Sequence, residues 1–131
     1  MNRIVATVAV LASVIGVVAA QNGSPRANDV SAFMQLKLDH SKYVLEGIVL
    51  EDYPQIAKHA QSLALLSEDA AWQVFQTPEY LRHSNEFRRA AEGLVAAAKD
   101  QNIDAATLAY MDTTIKCVNC HKYVRDVRMA E

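Results

Sequence analysis

Glycine and proline are scarce in the 131-residue sequence, at 4 and 3, and there is a single tryptophan among 7% aromatics. That scarcity excludes collagen-like and low-complexity chains. An excess of one charge is also missing: 13 basic against 15 acidic side chains leave a formal −2. With no long Lys/Arg run either, there is no electrostatic footprint for nucleic acid, and no nucleic-acid partner is expected. Cysteine is down to 2 residues, far too few for a disulfide-built scaffold. What the chain does have is apolar side chains, 51% of the total, enough for the core of one modest domain.

Part of that apolar content sits at the start. Asn2-Arg3, an almost wholly apolar run from Ile4 to Val18, and Val18-Ala19-Ala20 follow the order of a secretory signal peptide. Residues 1–20 are therefore predicted to be removed before Gln21, placing the protein in the periplasm or otherwise outside the cytoplasm. The alternative is an uncleaved anchor, with the membrane touched only through this segment, although the run is somewhat short for a span. Residues 21–28 carry Gly, Ser and Pro without apolar periodicity and read as a flexible leader, leaving 29–131 for the domain.

Within the domain the period is helical. Val30, Met34, Leu38, Ser41, Leu45 and Ile48 recur at three- and four-residue steps, predicting a first helix that ends about Glu51. Asp52-Tyr53-Pro54 restarts a second, marked by Ile56, Ala60, Leu63 and Leu66. Thr77-Pro78-Glu79 starts a third, whose inward stripe is Phe87, Ala90, Ala91, Leu94, Ala97 and Ala98. After Gln101-Asn102, a fourth carries Ile103, Ala106, Tyr110, Thr113, Cys117 and Val124. Four consecutive helices with short links predict an all-α, antiparallel four-helix bundle.

Both cysteines fall in Cys117-Val118-Asn119-Cys120-His121, the attachment sequence of c-type heme. Thiols at i and i+3 of a helix face one side, where each can add to a heme vinyl group. His121, four residues after Cys117, shares that face and can bind the iron. The expected cofactor is one covalently attached heme c, with His121 as the metal ligand. Export agrees with this independently, because such attachment takes place outside the cytoplasm. A disulfide redox pair would sit at a helix start in a βαβ context, and a zinc site would need four ligands where His40, His59 and His83 are scattered singly. Arg125, one turn beyond His121, is placed to lie over the proximal heme face or reach a propionate, or else is a solvated surface residue.

The position of the motif, near the end of a four-helix chain, resembles the cytochrome c prime family. Ala97-Ala98-Lys99-Asp100-Gln101-Asn102-Ile103-Asp104, then Cys117 to His121 and Tyr123-x-Arg125, are similar to that family's last helix hairpin. Gln55-Ile56 through Leu66-Ser67 to Trp72 and Phe75 resembles its second helix and following turn, and Pro78-Glu79 to Phe87 its third-helix start. The likeness runs over about residues 30–128. It implies an iron held by one axial His, with an apolar residue of the first helix, here Leu38, over the other face, so that only small gases such as NO or CO enter. One-electron redox with an unknown partner protein and pairing into a homodimer through the first two helices are also implied. The family's common Arg-Gln pair appears here as Met34-Gln35, which leaves Lys37 as the candidate for pairing with a propionate.

Two other readings stand beside it. In the first, Met34 reaches the iron as sixth ligand and the protein is a low-spin electron carrier. In the second, the chain is a heme-free helical structural module. No nucleophile and base are paired in the sequence, and no distal His with a polar partner suggests O–O cleavage, so no enzymatic activity is expected.

Overall fold

The computed structural model of the protein describes residues 27–69 and 75–130. The expected signal segment 1–20, most of the leader at 21–28, and Trp72 lie outside the described residues. Among those described there are four helices and no strand: α1 (Ala27–Leu50), α2 (Tyr53–Leu66), α3 (Pro78–Lys99) and α4 (Ile103–Met129). α1 begins two residues before the expected Asp29, and the other boundaries fall within a residue or two of those anticipated.

Two of the three links share one design. Glu51 takes a left-handed φ of 54° after α1, and Gln101 one of 52° after α3. At the first link the Glu51 N–H donates to the Ile48 carbonyl (3.3 Å) and the Asp52 N–H to Gly47 (2.8 Å). At the second, Gln101 donates to Ala98 (3.1 Å) and Asn102 to Ala97 (3.0 Å), the same pair of bonds that closes a helix in the Schellman motif. The residue that ends one helix then caps the next: the Asp52 side chain accepts from the Gln55 N–H (2.9 Å), and Asn102 accepts from Ala105 (3.0 Å). Links this short turn each helix back along its predecessor, so α1 with α2, and α3 with α4, run antiparallel. Thr77 caps α3 by accepting from the Tyr80 N–H at 3.2 Å, with Pro78 in the first turn where its missing N–H costs nothing.

The core lies toward the end carrying these two links. Val44, Ile56, Ala60, Leu63, Phe87, Ala91, Leu94, Val95 and Ala98 form its cluster, with Ile103 packed against it. Every residue of the expected α3 stripe is buried. Its alanines let α2 and α4 approach closely, and α3 packs extensively on both. At Gly47 a Cβ would come 2.9 Å from Ile56 Cγ1 and 3.3 Å from the Asp52 carbonyl oxygen, so glycine is what allows α1 to cross α2 there.

The inward face of α1 differs from the expected one. Leu38 and Leu45 are 51% and 46% exposed, while Lys37 and Val44, one residue earlier in each case, are buried. Both series keep three- and four-residue steps and share Val30, Met34, Ser41 and Ile48, so choosing between them turns the inward face by about 30°, enough to exchange Leu38 and Leu45 for Lys37 and Val44. Selecting only apolar residues passed over Lys37 and so turned the stripe. The helices otherwise pack in sequence around a ring, and α1 meets α4 at few points. No helix among the described residues is long and apolar enough to cross a membrane.

Candidate functional site

Where α1 and α4 stay apart, a cavity of about 350 Å³ opens between the four helices. That is within the size range of small-molecule and cofactor sites, about 300 to 1,000 Å³. α4 gives it Cys117, Cys120 and His121 together, as helical spacing requires, and α1 gives it Met34, Lys37, Leu38 and Ser41. Leu63 of α2 and Phe87 of α3 line it as well, and its wall is mostly apolar.

Both cysteines are free thiols, Cys120 buried and Cys117 half-buried. Burial pushes both thiols up, against the opposing charge of Lys37. The pair lies well inside α4, far from the helix start where a redox Cys-x-x-Cys has its thiol pKa lowered. A zinc site needs further ligands, and among the described residues no three His, Cys, Asp or Glu side chains converge to hold an ion. Burial, then the charges of Arg125 and Lys37, hold His121 below the ordinary histidine range. The neutral imidazole that results keeps the lone pair a metal needs.

The remaining candidates are placed unequally. Met34, half-buried, lines the cavity and also a small recess with Val30, Phe75, Tyr80 and Cys120. Leu38 lines the cavity from its exposed rim and not from its interior, as the rotation of α1 requires. Arg125 is exposed and does not line the cavity, although its charge is felt at His121.

The least expected occupant is Lys37, 7% exposed. Its Nζ stands 3.6 Å from the centroid of the buried Phe87 ring, a cation–π contact. Burial brings its pKa down to about 7. Other polar groups of the wall are committed within the fold: Ser41 bonds the Tyr110 hydroxyl (3.3 Å), and the Thr113 and Thr114 hydroxyls donate to the Ala109 and Tyr110 carbonyls. Lys116 faces Glu86 and Asp112 at 3.8 and 3.7 Å. The signal for Lys37 in the sequence was its place in the series Val30, Met34, Lys37, Ser41, Val44, Ile48.

The other histidines lie away from the cavity. His83 is buried at 8% exposure, beside the Tyr123 ring. His40 and His59 meet with their Nδ1 atoms 2.8 Å apart, and Tyr43 stacks on His59. Neither lines the cavity. Met111 and Met129 are 57% and 85% exposed.

Comparisons of the chain with protein-family models, with curated proteins and with solved structures find no match.

Proposed function

We propose that the protein is a c-type heme protein resembling cytochrome c prime, which binds small gases such as NO and CO and carries one-electron redox activity. The observation that supports this is the opening of Cys117, Cys120 and His121, a donor set matching c-type attachment, onto one largely apolar cavity of cofactor size. The residues present fit the group: two thiols one helical turn apart, an imidazole beside them, and a cleft between α1 and α4 able to admit a flat molecule.

In this reading Cys117 and Cys120 would hold the group through thioether links, each S–H adding across a vinyl double bond so that no oxidant is needed, and His121 would ligate the iron through its neutral nitrogen. Bound heme supplies an iron that exchanges one electron and takes up a small ligand. Met34, Leu63 and Phe87 would keep water from its surroundings, with Leu38 at the rim. The signal-like residues 1–20 support action in the periplasm.

The test is a ferrous absorption spectrum with and without CO, together with the mass of the exported polypeptide. A covalent tetrapyrrole and a high-spin ferrous form that takes up CO are expected. A mass without tetrapyrrole overturns the reading and leaves the heme-free structural module. The second reading, Met34 as sixth ligand, draws on Met34 lining the same cavity from α1. It requires a low-spin spectrum that is lost in Met34→Ala.

A further inference from the structure

We propose that the outer face of α4 is a docking surface for a second copy of this chain, which packs its own α4 there antiparallel across a two-fold axis. None of the six residues that form the face lines the cavity, so the proposal stands whether or not the heme reading does.

The face is a single row. Leu108, Met111, Ile115 and Val118 are 46% to 67% exposed, and Asp104 and Lys122, also exposed, stand one turn beyond its two ends. Steps of four, three, four, three and four residues keep all six within an arc of about 80°, on the side of α4 opposite the buried Ala106, Thr113 and Cys120. Exposed apolar residues scattered singly are ordinary, whereas four at these steps make the seam of paired helices. The spacing is the same read from either end, and the charges that close the row are of opposite sign. A two-fold axis at its midpoint, level with Thr113, therefore sets Leu108 against Val118 of the second copy, Met111 against Ile115, and Asp104 against Lys122. Each acid meets a base, and the contact closes on itself as a dimer. Parallel pairing would instead set Asp104 on Asp104 and Lys122 on Lys122, a repulsive arrangement. Among the described residues neither of these two is committed to an ion pair within its own chain. Asp112 lies beside the midpoint, where its own copy approaches, and Lys116 at 3.7 Å offsets that charge. An anionic lipid surface is disfavoured by the same acids and has no use for a row symmetric about its centre.

The test is sedimentation of the full chain as exported, at low salt and between about 1 and 500 µM, where a small interface of one helix pair associates reversibly. A dimer that forms as concentration rises is expected. Ile115→Lys, at a position already exposed to solvent, should leave the helix content unchanged and raise the dimer Kd by about 100-fold or more. Lys122→Asp should weaken the dimer by about tenfold, because both ends of the seam then carry like charges. Combining it with Asp104→Lys restores opposite charges across the axis and should recover most of that loss, which a change confined to one chain would not do. A chain that stays monomeric throughout the range overturns the proposal. So does a dimer indifferent to Ile115→Lys, since it would be formed through another face, such as that of α1 and α2. A dimer that Ile115→Lys weakens but the charge exchange does not restore overturns the antiparallel register.

Discussion

At the end where α1 turns into α2 and α3 into α4, the same device appears twice: a left-handed residue, a helix-closing pair of bonds and a cap that starts the next helix. The core fills the space between those turns with Val44, Ile56, Leu94, Val95 and Ala98. Toward the other end, α1 and α4 separate around a cavity whose wall includes a buried lysine, two free thiols and a histidine. Packing at the first end leaves little to remove without cost. At the second, the fold tolerates a void and a buried cation, both unfavourable in an empty bundle. The contrast teaches that tight packing and the cavity with its reactive side chains occupy different ends of the same four helices.

The largest test of that division is Cys117→Ser with Cys120→Ser, which should abolish covalent attachment entirely, read as loss of the tetrapyrrole mass from the exported polypeptide. An equal cofactor content in variant and wild type would erase the distinction between the ends.

Next in size is the pH response of Lys37, best measured in that serine background, where thiol titration is absent. In the fold its pKa is about 7, below the ordinary lysine value of 10.5 that holds in the unfolded chain. Between those values the unfolded chain binds more protons, so stability rises with pH, and below about 7 the buried ammonium opposes folding in full. The gain should approach about 4 kcal/mol, at about 1.4 kcal/mol per pH unit. Denaturant unfolding at pH 7 and pH 10 should show the slope with Lys37 present and lose it in Lys37→Met. Equal slopes would return Lys37 to the surface.

Leu94→Ala at the packed end should cost about 3 kcal/mol, against less than about 0.5 kcal/mol for Leu38→Ala at the rim. Comparable losses in urea unfolding would mean that the two ends are packed alike. Smallest is Asn102→Ala, which removes the cap of α4 and should cost about 1 kcal/mol in the same assay.

The sequence made the packed end readable because its information is local. Asp52 and Asn102 act on backbone groups within three residues, and the alanine face of α3 admits one choice of inward side. Cys117, Cys120 and His121 were equally readable, since a helix alone brings them together. The opposite wall was not. Its orientation turned on whether Lys37 or Leu38 faces inward, a choice settled by contact with Phe87 on a distant helix. The meeting of His40 with His59 and the burial of His83 likewise depend on how helices pair, which no spacing within one helix reveals.

Glu51 and Gln101 hold a backbone conformation that side chains bearing a Cβ adopt at a cost of about 1 kcal/mol or more each. Glycine at either position is free of that clash. Because both residues are in the turns, away from the cavity lining, the exchange leaves every group that faces a ligand in place. The protein thus carries an untapped margin of robustness in its loops, one an engineer can draw on to offset the losses that come with reshaping the pocket.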